Sequence, residues 1–519
     1  MAALLCCSAT GCRLAGAGPL RRALGQARTG QDAGAAVSGE PVSGHPVAIK
    51  PVGCLRLCSA GPLVAVQRDD GSRALYGGVP PALAPALLAA ARGVADEALH
   101  RHRLDLEHPF FALQQCVVLE TCGQVDPTSL DDALAHGAYR QLQRCRDQLS
   151  PARLRREIAA SGLRGRGGAG YPTGLKWEAV ALQPPGPRHV VCNGDEGDPG
   201  AFMDRAVMEG DPHRLLEGLA IAAHAVGAAR GTVYVRAEYP LAIRRLRRAL
   251  RQASARGLLG LAVELRVGAG AYVCGEETAL LASIAGRRGN PRPRPPYPAQ
   301  HGLNGMPTLI NNVETLAALP AILRRGASWY AAIGPAESPG TKVFSLSGAV
   351  QRTGLVEVPI GTPLRTVVLT MAGGVPGADG PDGGIKAVQT GGPSGGCIPA
   401  TALDTLLADA QLRALGARLG SGGMVVLGAA TAMPALARYF VRFCAAESCG
   451  KCVPCRAGTV EMVALLDRFC EGRATAADRA WLEQLCALVQ STSLCGLGQS
   501  APNPVLSTLR HFAHEYRVT

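Results

Sequence analysis

Three cysteines, Cys449, Cys452 and Cys455, stand at C-x-x-C-x-x-C spacing, flanked by Glu447-Ser448 and Arg456. One turn or tight loop can aim three such thiolates at three corners of one iron–sulfur cluster, and the fourth corner needs a cysteine from elsewhere. Cys495, in Ser493-Leu494-Cys495-Gly496-Leu497-Gly498, is the expected fourth ligand. A cubane held this way moves one electron at a time. The competing reading is a structural zinc site. Zinc favours paired C-x-x-C knuckles, so a third cysteine at the next interval, with one distant partner, suits [4Fe–4S] better.

A second cysteine set lies near the N-terminus: Cys7 and Cys12, then Cys54 and Cys58. Two close pairs can each hold one iron of a [2Fe–2S] cluster. The remaining ten of the 18 cysteines (Cys6, Cys116, Cys122, Cys145, Cys192, Cys274, Cys397, Cys444, Cys470 and Cys486) lack ligand spacing and read as small buried hydrophobes.

Between the cysteine sets lies a run that could hold a phosphate: Gly165, Arg166, Gly167, Gly168, Ala169, Gly170 and Tyr171, followed by Lys176. Glycines let backbone N–H groups close on a ligand. Alone such a loop is as often a plain turn. Three further blocks give it company. Asn193, Asp195, Glu196 and Asp198 follow an expected strand, at the end where α/β sheets bind ligands. Tyr272, Gly275, Glu276 and Glu277 follow another strand and open a helix. Asn311 and Asn312 add two adjacent amides.

The elements that must position these groups alternate. Strands are expected at 188–193, 232–237 and 262–267, with helices at 151–161, 212–225 and 240–255. That order predicts a mostly parallel sheet with helices on both faces. The N-terminal hundred residues read as a small α/β unit: a strand before Cys7, a helix near 14–27, a loop over 28–44, strands at 45–52, 63–67 and 74–76, and a helix near 81–91. Residues 341–430 read as a small β domain, and the rest as helices around the cubane cysteines.

Composition sets outer limits. With 519 residues and 47% hydrophobic content, three or four packed domains are expected. The net charge of +13 is nearly all arginine. Its densest run, Arg244 to Arg248, falls on an amphipathic helix, so a solvated face is preferred to a nucleic-acid surface. There is no convincing signal peptide, and no apolar run reaches the ~18 residues of a membrane span. Cysteines clustered at ligand spacing in a long chain point to a reducing compartment, the cytoplasm.

The four cofactor blocks, in this order and with C-x-x-C-x-x-C beyond them, resemble the FMN- and NADH-binding flavoprotein subunit of complex I over residues 105–515. The N-terminal unit, with Cys58-Ser-Ala-Gly-Pro62, resembles the thioredoxin-like ferredoxin domain of that complex. Its fusion resembles the diaphorase subunits of soluble NAD-dependent formate dehydrogenases, and alternatively of NAD-reducing or bifurcating hydrogenases. The resemblance implies a multidomain α/β chain: a thioredoxin-like [2Fe–2S] domain over 1–100, a Rossmann-like FMN domain over 101–340, a β-grasp domain over 341–430 and a helical [4Fe–4S] domain over 431–519. It implies that Gly165 to Gly170 wrap the FMN phosphate and ribityl chain with Lys176 nearby. Asn193, Asp195, Glu196, Tyr272, Gly275, Glu276, Asn311 and Asn312 would face FMN, while Tyr171 and Glu277 would hold NAD(H). Asp198 stands where Glu is common and Arg294 where Lys is common, which leaves the choice between NADH and NADPH open. Glu276 and Glu277 are the expected electrostatic lever on the flavin, one with a raised pKa. The implied partners are a separate thioredoxin-like [2Fe–2S] subunit and a large catalytic subunit, a molybdenum or tungsten formate dehydrogenase first. The alternative is a flavin-free docking subunit. The intact glycines at 165, 167, 168 and 170 argue against it.

Overall fold

The computed structural model describes residues 2–38 and 47–519, which form three sheets and a C-terminal helical bundle. The first sheet has the order β2-β1-β3-β4-β5: β1 (Ala3–Cys7), β2 (Ala48–Val52), β3 (Leu63–Gln67), β4 (Arg73–Gly77) and β5 (Arg103–Leu104). β1 runs parallel to β2 and antiparallel to β3. Side chains alternate across a strand. Leu4 and Cys6 face a core shared with Leu20, Leu24, Leu87 and Leu88. Leu5 and Cys7 face the main core. Both faces of β1 are thus covered, which explains its unbroken apolar run. The helix expected over 14–27 instead spans Ala17–Ser38. An alanine-rich stretch keeps helical propensity despite its glycines, so the expected loop is overturned over 28–38. The rest of that loop and the start of the strand expected at 45 lie outside the described residues.

The second sheet is parallel throughout, in the order β8-β7-β6-β9: β6 (His189–Gly194), β7 (Arg230–Arg236), β8 (Ala262–Gly268) and β9 (Thr308–Asn312). Helices Pro212–Val226 and Pro240–Ala255 make the crossovers, each with proline in its first turn where no N–H is needed. The third sheet is mixed, in the order β11-β10-β14-β12-β13: β10 (Thr341–Gly348), β11 (Gly354–Pro359), β12 (Ile385–Thr390), β13 (Gly396–Pro399) and β14 (Gly423–Gly428), with β10 and β14 parallel at its centre. Helices Met433–Glu447, Val453–Cys470, Ala476–Thr492 and Asn503–His511 then pack together. A capping box of Thr475 and Asp478 starts the third.

Buried polar groups lock these parts to one another. The Glu357 carboxylate on β11 accepts N–H bonds from Val117, Val118 and Leu119 at 2.8–2.9 Å and the Thr341 hydroxyl at 2.6 Å. Lys342, fully buried on β10, pairs with Glu314. All five lysines are committed: Lys50 to Asp132, Lys176 to Glu277, Lys342 to Glu314, Lys386 to Glu515, and Lys451 to the Pro291 carbonyl. The solvated charge is therefore arginine. Among the described residues no helix is long and apolar enough to cross a membrane.

Candidate functional site

Parallel pairing of β6 and β9 sets Asn193 beside Asn312 at the carboxyl ends of two neighbouring strands. Asn193 donates from Nδ2 to the Gly275 carbonyl (3.0 Å) and accepts the Asp195 N–H at Oδ1 (3.0 Å). The acidic loop and the turn Tyr272–Gly275 are tied together through it. Asn312 caps helix Val313–Arg325 with Oδ1, and its Nδ2 donates to Asp204 at 2.6 Å. Asn311 accepts the Trp177 indole N–H at 3.0 Å. The glycine loop sits between helices Pro151–Ala160 and Thr173–Ala181 and is closed by Gly165 N–H on the Tyr171 carbonyl. Gly167 lies so close to Asn312 that a Cβ there would stand 3.0 Å from the Asn312 Cβ. Gly168, at φ +110°, faces Gly420 and Ser421 in the turn before β14. Tyr171 is half exposed, open to stack on a ligand.

The structure corrects the role expected of Arg166. Its guanidinium is buried and donates to the carbonyls of Arg164, Pro339 and Thr341 and to the Tyr330 hydroxyl. Its own N–H is taken by Thr315 Oγ1. Arg166 anchors the loop and has turned its charge into the protein.

A raised pKa expected in the acidic pair does not fall on Glu277. Glu276 is the N-cap of helix Glu277–Ile284, accepting the N–H groups of Thr278 and Ala279 at 2.9 Å. Glu277 lies between Arg294 Nη1 (2.7 Å) and Lys176 Nζ (3.4 Å). Burial pushes its pKa up, but Lys176 and Arg294 outweigh burial and hold it below the usual carboxylate range. The raised acids are instead at the end of β6. Asp195 has a side chain only 2% exposed, with Oδ1 4.0 Å from Arg236 Nε and Oδ2 without a partner. Burial pushes it up to about 7 against the pull of Arg236. Burial also raises Glu196, despite its bonds from the N–H groups of Asp204 and Arg205, and Asp198, despite the hydroxyls of Ser421 and Tyr272.

An acid held protonated by the fold makes stability pH-dependent. Between the ordinary aspartate value and about 7, the native protein binds a proton at Asp195 that the unfolded chain does not, so stability falls as pH rises through that window and levels off above it. Asp195→Asn is expected to raise the thermal midpoint of flavin-free protein at pH 8, the gain shrinking as pH falls toward 4. A gain independent of pH in a melting series would refute this.

An orphaned, buried carboxylate oxygen fits a ligand that brings donors, as the N3–H of an isoalloxazine or the hydroxyls of a ribityl chain do. The turn Tyr272–Gly275 then leads on to the cubane cysteines. Tyr272 donates its N–H to Glu447 at 2.9 Å and meets the Phe443 ring edge-on at 5.1 Å. Val273 lines a small pocket with Cys449, Cys452, Cys455, Cys495 and Lys451. Cys452 and Cys495 each sit at the start of a helix, and the amides of Leu497 and Gly498 bond the Cys495 sulfur. Helix N-termini favour thiolates, so this donor set fits a cluster. Burial without metal pushes the Cys495 thiol up to about 11, the amides opposing.

Cys7, Cys12, Cys54 and Cys58 also converge. They line one small cavity, and Cys7 contacts Cys12 and Cys54, which contacts Cys58. This is a pair of pairs, as two irons require. Among the described residues no three His, Cys, Asp or Glu side chains are set for a single ion. Cysteines spread around a cavity leave room for a cluster. Of the other ten cysteines, Cys470 is exposed and Cys116 half-buried against Arg56, so neither is the buried hydrophobe expected. Asp204, Tyr239 and Ser421 escaped the sequence reading. They reach the site from a helix and two connecting turns that no motif marks.

The chain is similar to known proteins over most of its length. Residues 158–321 match the family described as the Nuo51 FMN-binding domain, and residues 435–519 the NADH-ubiquinone oxidoreductase-F iron-sulfur binding region. The NADP-reducing hydrogenase subunit HndC of Solidesulfovibrio fructosivorans is 49% identical over 409 residues, 77% of this chain and 82% of that one. The NADH-quinone oxidoreductase F 2 subunit of Rhizobium meliloti (strain 1021) is 43% identical over 410 residues, 77% of this chain and 96% of that one. A crystal structure of an NAD+-reducing [NiFe]-hydrogenase in the H2-reduced state superposes with a TM-score of 0.70 and 31% identity, covering 99% of this chain and 84% of that one. The chain belongs to the family of NADH-quinone oxidoreductase F subunits and the diaphorase subunits of NAD(P)-reducing hydrogenases. It carries their FMN- and NADH-binding domain and their [4Fe–4S]-binding region.

Proposed function

We propose that this chain is the diaphorase module of a larger cytoplasmic oxidoreductase, exchanging hydride with NAD(H) and passing single electrons to a catalytic partner. The observation that carries the reading is the turn Tyr272–Gly275. One end is bonded to the flavin-side Asn193, and Val273 forms a wall of the cubane pocket. Bound FMN would supply the change from two-electron to one-electron chemistry.

The chain's own groups would do the positioning. Asp195 Oδ2 accepts a donor of the ligand, and backbone N–H groups of Gly167 to Gly170 take the phosphate. Glu277, ionised between Lys176 and Arg294, takes the ribose hydroxyls of NAD(H), and Tyr171 stacks on the nucleotide. Asn311 and Asn312 hold the cleft floor through Trp177 and Asp204.

The finer domain reading follows the boundaries 1–100, 101–340, 341–430 and 431–519. The strand order second-first-fifth-third-fourth, with parallel first and fifth strands, supports a β-grasp domain. Helices packed on one face of a mixed sheet support a thioredoxin-like first domain with a [2Fe–2S] cluster on Cys7, Cys12, Cys54 and Cys58. Similarity to named hydrogenase subunits supports a hydrogenase as the catalytic partner. The fused N-terminal unit supports a formate dehydrogenase, with a thioredoxin-like [2Fe–2S] subunit alongside in either case.

The test is anaerobic purification with the native partners, with visible and EPR spectra before and after NADH and metal analysis. Flavin bleaching with a [4Fe–4S] signal is expected. Nickel in the complex selects the hydrogenase, and molybdenum or tungsten the formate dehydrogenase. A colourless protein that NADH does not change would refute the diaphorase reading.

A further inference from the structure

Helix Met203–Gly210 is a wall shared by two sites. Phe202, Arg205, Ala206 and Glu209, spaced as one helical face, line the cavity of Cys7, Cys12, Cys54 and Cys58. From its other side Asp204 accepts the Asn312 amide, and Met208 abuts Gly194 at the end of β6. Its first N–H groups, those of Asp204 and Arg205, both donate to Glu196. The N-terminal cysteines are therefore enclosed by the flavin domain itself.

Three charged groups border that cavity. Arg56 is engaged by Gln114 Oε1 at 3.0 Å and Cys116 Sγ at 2.7 Å. Glu209 accepts the Thr10 N–H at 2.8 Å and its hydroxyl at 2.5 Å. Arg205 has no ion pair among the described residues. The rings of Phe202 and Tyr239 lie against its guanidinium, at 5.3 and 5.6 Å, and the buried Glu196 attracts it through space.

A [2Fe–2S] cluster on four thiolates is an anion, and one-electron reduction adds a further negative charge. A fixed cation at its edge stabilises the reduced form more than the oxidised one, and net charge is among the levers that set such potentials. We infer that Arg205 sets the reduction potential of the N-terminal cluster and so keeps it reducible from the flavin. This rests on the cluster reading above. NADH gives up two electrons and becomes NAD+ with release of one proton. With FMN and both clusters bound, one electron would go to the N-terminal cluster and the other would leave through the cubane. Glu209, of opposite charge on the same helix face, works against Arg205.

The test poises the anaerobic complex at fixed NADH/NAD+ ratios and follows the [2Fe–2S] EPR signal. Arg205→Gln is expected to lower the ratio of reduced to oxidised N-terminal cluster about tenfold, equivalent to ~59 mV for one electron. Arg205→Lys keeps most of the signal, and Glu209→Gln shifts the ratio the opposite way. FMN content and the cubane titration stay unchanged, which reports an intact fold. An N-terminal signal that titrates identically in Arg205→Gln and Glu209→Gln overturns this inference alone. A wild-type complex without any [2Fe–2S] signal overturns it together with the cluster reading.

Discussion

Cys455→Ser is expected to leave a yellow protein that NADH still bleaches but that no longer delivers electrons to its partner. Cys455 sits in the first turn of helix Val453–Cys470, buried beside Cys449 and Cys452, with Ser448 Oγ 3.3 Å from its sulfur. Changes to groups that merely support a metal ligand cost about 10–100-fold, so loss of a ligand should cost electron transfer at least ~100-fold. The turn Tyr272–Gly275 stands between the flavin blocks and this cysteine through Val273, so the rate of flavin reduction by NADH should hold within about twofold. Stopped-flow flavin bleaching, set against NADH-dependent reduction of the native partner, separates the two. Equal loss of both rates would show that the cubane is needed to build the flavin cleft and would sink the expected split.

Glu314→Ala should produce the largest loss of stability from a single side chain. Lys342 is fully buried, and its one ion-pair partner among the described residues is Glu314, which also accepts the Val343 N–H at 2.9 Å. Removing one member of a buried pair strands the other charge, at a cost of about 3–5 kcal/mol. Glu314 follows Asn312 in the helix under the flavin cleft, so the loss should appear as a fall, on the order of 10 °C, in the temperature of FMN release. The double change Glu314→Leu with Lys342→Met should recover most of it, since an apolar replacement of a buried pair is often neutral. A double variant no better than Glu314→Ala in a melting series would disprove this account.

How far the fold and site could be read in advance follows from where the determinants lie. Helix Pro240–Ala255 and strand Leu63–Gln67 have the expected bounds, because proline, glycine and apolar periodicity mark them locally. The convergence of Asn193, Asn312 and the glycine loop was readable because α/β sheets bring strand ends together. Arg166 was misjudged because a charged residue among glycines looks like a ligand group. Only the fold reveals that Thr341, Pro339 and Tyr330 wait for it. Glu276 has a use the sequence did not single out: an acid that opens a helix is equally a cap, and spacing alone does not reveal it. Arg205 and Glu209 reach the cysteine cavity from about two hundred residues away, a distance at which no local pattern carries information.

That last distance bears on how the protein is made. Thr10 and its bonding partner Glu209 are 199 residues apart in the chain. At a synthesis rate of ~5–20 residues/s, roughly 10–40 s pass between their emergence from the ribosome. Throughout that interval the thiols of Cys7, Cys12 and then Cys54 and Cys58 stand in a nascent domain that lacks its outer wall. Once helix Met203–Gly210 docks, Cys7, Cys12 and Cys54 are buried. On the proposed cluster reading, iron and sulfide would be most easily delivered while translation is still under way, and pausing the ribosome before codon 203 would widen the window for cluster insertion.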